Sequence, residues 1–132
     1  MDKVIQITIH RPLEFGQHTD TFCNKKFVCA INGGLDQFAG EDIEVIAERM
    51  FILTNAPEEH LGYNDMITRK HYADALDRSQ TFPELKYFSI SKGDLIKAHG
   101  YYKGRLFSSF AVCQTSGWKV FRSWRAPKPQ AV

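Results

Sequence analysis

The chain has 132 residues, 43% of them hydrophobic and 13% aromatic, with a formal net charge of +2. A chain of that size buries one core without disulfides or a metal, and no apolar run approaches the roughly 20 residues that span a bilayer, so a membrane span is excluded. Cys23, Cys29 and Cys113 form an odd set without CxxC spacing, read as free thiols in a reducing cytoplasm. The alternating N-terminus, which has neither a continuous apolar stretch nor a small-residue cleavage site, points to the same cytoplasmic location.

From the N-terminus, Val4 to Ile9 alternate as a half-buried strand, with Ile5, Ile7 and Ile9 on one face and Gln6 and Thr8 on the other. Pro12, Gly16 and the polar cluster from Thr19 to Asn24 interrupt the pattern. It resumes over Lys26 to Ile31 and ends at Asn32-Gly33-Gly34, which supplies the positive-φ positions of a turn. The period then changes. Ile43, Ile46, Ala47, Met50 and Phe51 form a helical stripe, Glu41 and Asp42 suit the positive end of the helix dipole, and Asn55 with Pro57 stops the helix near Leu53 or Thr54.

Residues 58–65 read as a loop. A second helix is expected from about Thr68, whose hydroxyl can cap it, with Tyr72, Ala75 and Leu76 as its apolar stripe and Pro83 as its limit. Four strands follow in the pattern: Tyr87 to Ile90, Leu95 to Ala98, Arg105 to Gln114 and Trp118 to Trp124. Lys92-Gly93-Asp94, His99-Gly100 and Thr115-Ser116-Gly117 separate them. The expected architecture is α+β: a mixed or antiparallel sheet with one or two helices on one face and a C-terminal antiparallel meander. A single domain over residues 1–126 would precede a flexible, proline-containing tail over 127–132.

Charge is unevenly spread. Asp36, Glu41, Asp42, Glu44, Glu48, Glu58, Glu59 and Asp65 crowd the first half, whereas no acid follows Asp94 and Lys97, Lys103, Arg105, Lys119, Arg122, Arg125 and Lys128 make the last third purely basic. Such a dipole suits an asymmetric partner or head-to-tail association of a homo-oligomer. The acidic run is a solvated face or, more sharply, a mimic of a nucleic-acid backbone.

The stretch from Ser89 to Gly100 places serines, Lys92, Asp94 and His99 around Gly93. A phosphate-cradling loop needs further glycines and a helix directly after it, whereas Leu95 to Ala98 read as a strand, so the segment is expected to be a turn with Lys92 and Asp94 in water. Phe51-Ile-Leu-Thr-Asn55, followed by Tyr87-Phe-Ser-Ile-Ser-Lys-Gly-Asp-Leu-Ile96 and Gly100-Tyr-Tyr102, resembles a pattern of small phage and mobile-element proteins grouped as YodL-like. Their text runs F-x-L-T-N … R-S-L-S-V-G-D-V-V, and this chain departs from it at Phe88 and Lys92. The resemblance covers about the second half of the chain. It implies an accessory role in a phage or plasmid, such as blocking a host factor, and no assigned reaction.

His10, His18, His60, His71 and His99 show no HxH or HExxH spacing, and His71 with Asp74 and Asp77 is better read as a solvated helix face than as a metal site. Cys29 and Cys113 lie in apolar strands, and Cys23 beside Lys25 and Lys26 has no partner base. An enzyme built on Asp94, His99 or Cys23 is the least supported reading. The densest constellation is C-terminal: Tyr101, Tyr102, Lys103, Arg105, Trp118, Lys119, Arg122, Trp124 and Arg125, with Phe107, Phe110 and Phe121 between them. Rings stack on bases and cations meet phosphates, so these are the candidate ligand-binding residues. By strand parity Arg105, Phe107 and Ser109 share one face and Leu106, Ser108, Phe110 and Val112 the other. Next along, Trp118, Val120, Arg122 and Trp124 oppose Lys119, Phe121 and Ser123. One aromatic set must therefore be core, and core packing with basic edges is the simpler account. The leading expectation is a small non-catalytic binding protein without a cofactor or metal, a phage or mobile-element accessory that inhibits a host defence protein. The alternative is a nucleic-acid or signalling-nucleotide binder using the basic aromatic hairpin.

Overall fold

A computed structural model of the chain describes residues 3–12, 25–33 and 35–127. Five strands form one sheet: β1 (Lys3–Pro12), β2 (Lys25–Asn32), β3 (Leu95–Tyr102), β4 (Arg105–Cys113) and β5 (Trp118–Pro127). Their spatial order is β2-β1-β3-β4-β5, and every adjacent pair is antiparallel. Two helices, α1 (Ile43–Asn55) and α2 (Tyr63–Arg78), lie between β2 and β3 in the chain and pack on one face of the sheet. The fold is α+β with a C-terminal meander of β3, β4 and β5. Among the described residues no helix is long and apolar enough to cross a membrane.

The core follows from the periodicities. Ile7 and Ile9 of β1, Ile31 of β2, and Ile96 and Ala98 of β3 are fully buried with Ile46, Ala47, Met50 and Leu53 of α1 and Tyr72 of α2. α1 begins at Asp42, whose carboxylate accepts the Glu44 backbone N–H at 3.3 Å, an ordinary N-cap. Phe51 turns partly out of the stripe, while Leu53 and Thr54 are buried in its place.

Several local expectations are corrected. α2 starts at Tyr63, five residues before Thr68, because Gly62 sits at the cap without a side-chain bond and the segment expected as a loop supplies the first turn. Thr68 is buried within the helix and its hydroxyl accepts from the Gln37 amide. Residues 87–90 are not a strand, since their carbonyls and amides are taken by side chains. β3 runs on through His99-Gly100, and the turn into β4 is Lys103-Gly104, both at positive φ. Gly100 is needed for proximity rather than turning, because a Cβ there would lie 2.0 Å from the Lys3 carbonyl oxygen, beside the irregular register between Val4 and Gln6. Apart from Pro127, at the end of β5, the expected tail lies outside the described residues, as do Cys23, His18 and the polar cluster at 19–24.

Candidate functional site

Two polar constellations emerge, one inside the molecule and one on the sheet. The first begins at Arg11, near the end of β1, which is fully buried together with Asp94. Arg11 Nε donates to Asp94 Oδ2 at 3.2 Å, Nη1 to the carbonyls of Leu85 (2.9 Å) and Tyr87, and Nη2 to the Tyr72 hydroxyl at 2.8 Å. The guanidinium also stacks 3.9 Å from the Tyr87 ring centroid. Asp94 in turn accepts from the Ser91 amide at 2.9 Å and the Tyr87 hydroxyl at 3.0 Å. Charge and lone pairs are thus matched, as a buried ion pair requires. Burial pushes the Asp94 carboxyl up against the pull of Arg11, and it also raises the hydroxyls of Tyr72 and Tyr87.

This network explains the segment around Gly93. It is a turn, closed by the Asp94 amide donating to the Ser91 carbonyl at 3.0 Å, but Asp94 is not in water as expected, because its carboxylate turns inward to Arg11. The end of α1 holds the same segment. The Ile90 amide donates to Thr54 Oγ1 at 3.1 Å, and Asn55 Nδ2 donates to the Ile90 carbonyl at 3.0 Å. Thr54 and Asn55 therefore tie the segment to the end of α1, while Asp94 ties it to β1 through Arg11.

The second constellation is the sheet face turned away from the helices. Register places four rows across it. Lys3 pairs with Tyr101 and Tyr101 with Leu106; Asn32, Gln6, His99 and Ser108 align; Thr8, Lys97, Phe110 and Phe121 align; and Phe27, His10, Leu95, Val112 and Lys119 align. Leu95 and Val112 are buried here, whereas Lys97, Tyr101, Phe110 and Phe121 are half-buried and Lys119 is exposed. Lys97 Nζ stands 5.6 Å from the Phe110 ring centroid and Lys119 Nζ 5.7 Å from that of Phe121, within cation–π range. Gln6 Nε2 donates to Asn32 Oδ1 at 2.9 Å, and His99 Nδ1 lies 3.1 Å from Ser108 Oγ.

No Asp or Glu falls in any of the five strands, whereas they carry Lys3, Arg11, Lys25, Lys26, Lys97, Arg105, Lys119, Arg122 and Arg125. Charge is segregated by layer, with the sheet basic and the described carboxylates in helices, turns and loops. His10 registers the field on this face: burial, then Lys97 and Lys25, lower its pKa to about 4, so its ring is neutral at physiological pH.

The candidate residues are divided rather than gathered. Tyr101 and Lys119 belong to the helix-free face; Lys103 is exposed in the β3–β4 turn and Arg105 is exposed at the start of β4. Trp118 is on the helix side, its Nε1 donating to Glu48 at 2.9 Å and its ring edge-on to Phe51 at 6.3 Å. Tyr102 pairs with Arg105, Arg122 with Ser109 and Trp124 with Phe107, while Arg125 lies near the end of β5. Phe107 is core, whereas Phe110 and Phe121 are on the opposite face. Sequence reasoning placed Phe110 and Phe121 within the C-terminal constellation but left Lys97 and His10 out of it. The absence of acids from every strand was a signal that pointed to Lys97.

Catalytic geometry is sparse. Asp94 is enclosed by Arg11, Tyr87 and Ser91, whereas His99 lies on the helix-free face. Burial raises the thiols of Cys29 to about 12 and Cys113 to about 11, leaving both protonated. Among the described residues no three His, Cys, Asp or Glu side chains converge as metal ligands. Comparison with protein-family models, with curated proteins and with solved structures finds no match to this chain.

Proposed function

We propose that the chain is a small non-catalytic binding protein, an accessory of the phage or mobile-element kind, and that it acts by holding a host nucleic acid on the helix-free face of its sheet. The observation that carries this reading is the absence of any carboxylate from the five strands, whose helix-free side carries Lys3, Lys97 and Lys119 among aromatic rings. A surface that only needed to be soluble would mix both signs; one sign on one face attracts a polyanion and repels basic partners. No cofactor enters this function. Its test is the affinity for labelled oligonucleotides across a salt series. Tight binding that weakens steeply with salt supports it, whereas affinity that ignores salt contradicts it.

A second reading, capture of a host defence protein, is favoured by the outward side of α1. Val45 and Ile52 are 42% and 44% exposed there, two helical turns apart, beside the acids Glu44 and Glu48. Such a strip suits a partner with an apolar ridge and basic flanks. Under this reading Val45→Asp with Ile52→Asp abolishes a co-purifying complex that Lys97→Glu leaves intact. The reverse pattern returns the function to the sheet.

A further inference from the structure

We infer that a groove along one flank of α2 is a small-molecule site, which takes an organic monocarboxylate with an apolar body and holds its carboxylate on Arg69. The site lies in the helix layer and is independent of the use proposed for the sheet. Met66, Arg69, Lys70 and Ala73 recur at i, i+3, i+4 and i+7 along α2, so they form one stripe, and Phe88 lines the groove beside them. With Glu58 they bound a solvent-open space of about 410 Å³, within the range of small-molecule sites.

Arg69 is held in place before any ligand arrives. Its Nη1 donates to the carbonyls of Leu53 at 3.2 Å and Ala56 at 2.9 Å, at the end of α1, and its guanidinium carbon lies 5.0 Å from the Phe88 ring centroid. Phe88 is fixed in turn: its ring meets that of Tyr72 edge to face at 4.9 Å, and its carbonyl accepts the Tyr72 hydroxyl at 2.6 Å. Capping α1 thus uses one nitrogen of the fork. Among the described residues Nε and Nη2 have no hydrogen-bond partner, and their two parallel N–H bonds match the two oxygens of a carboxylate.

The other lining residues set the rest of the ligand. Lys70 is exposed, with its Nζ 3.9 Å from Asp74 Oδ2 in a weak surface pair, while Glu58 adds a carboxylate to the rim. Two cations against one acid leave a single positive charge, which suits a monoanion better than a phosphate dianion. Met66, Ala73 and Phe88 are half-buried and supply the apolar contact for the ligand's body.

The test is a titration of the full chain followed by two-dimensional amide NMR spectra, with phenylacetate, its neutral isostere phenylacetamide and inorganic phosphate as probes. Phenylacetate is expected to give saturable shifts centred on residues 66–73 and 88, with a Kd of about 1 mM for its roughly ten non-hydrogen atoms. Phenylacetamide should bind at least about tenfold more weakly, because it cannot form the charge-assisted pair. Arg69→Lys should cost about tenfold in phenylacetate affinity by removing the fork. Ala73→Leu should abolish binding by filling the groove without touching a hydrogen bond, with melting curves checking that both variants fold. Equal affinity for phenylacetate and phenylacetamide, tighter binding of phosphate than of phenylacetate, or no saturable shift would each overturn the inference. So would unchanged phenylacetate affinity in a folded Ala73→Leu protein.

Discussion

A positive charge serves opposite ends at Arg11 and at Lys97. Arg11 is fully buried, and its donors reach a carboxylate, a phenol and a set of carbonyls. Lys97, on the neighbouring strand and the other face, sits over a ring in a sheet that holds no carboxylate. A charge that the fold has neutralised is architectural, because removing its partner leaves an ion in a low dielectric. A charge collected with others of its sign on a half-exposed face contributes little to stability and is poised for an external anion.

The sharpest way to break this comparison is Arg11→Met, which strands Asp94 and the carbonyls of Leu85 and Tyr87. Urea denaturation should show a loss of about 3–5 kcal/mol, and Arg11→Lys should recover little, because an ammonium lacks the planar fork. A loss below about 1 kcal/mol would mean that the buried pair is incidental. Next, Gly100→Ala should cost about 1–3 kcal/mol by forcing β3 away from Lys3, measured as a lowered melting temperature. Thr54→Val removes the acceptor of the Ile90 amide and should cost about 1–2 kcal/mol.

A smaller effect belongs to His10. Its folded pKa of about 4 lies below the ordinary value of 6.5, so the neutral ring favours the folded chain. That stabilisation is complete above about pH 6.5 and is lost as pH falls toward 4, for a total of about 1–2 kcal/mol once solvent screening is allowed for. Denaturation at a series of pH values should show this slope in wild type and a flatter one in His10→Gln. Smallest of all in stability is Lys97→Glu with Lys119→Glu, expected to stay within about 0.5 kcal/mol of wild type. Arg11→Met should thus unsettle the fold, while the double lysine change disturbs only binding.

Local rules located α1 because its stripe, N-terminal acids and terminal Asn-Ala-Pro all agree. They misplaced the start of α2 because Gly62 offers no capping side chain, whereas Thr68, a good cap by type, spends its hydroxyl on Gln37. Tyr87 to Ile90 looks like a strand in composition, yet its backbone partners are Arg11 and Thr54, far away in sequence. No local pattern announces Arg11 as the partner of Asp94 across 83 positions. Parity correctly separated Phe107 from Phe110 and Trp118 from Lys119, but which set was core waited on the side chosen by α1 and α2. The basic sheet was readable once strand limits were known. Attention to the C-terminal cluster alone hid it, since Lys3, Lys25 and His10 come from the other end of the chain.

The most direct test of the account is the salt dependence of affinity for a single-stranded oligonucleotide, for wild type beside Lys97→Glu/Lys119→Glu. The account predicts that the logarithmic slope of the double variant is shallower by about 1.4, from about 0.7 per lost phosphate contact, with affinity down at least about tenfold and the melting temperature unchanged. An unchanged slope and affinity in a folded double variant would contradict it, and would move the contact surface from the sheet to the outward side of α1.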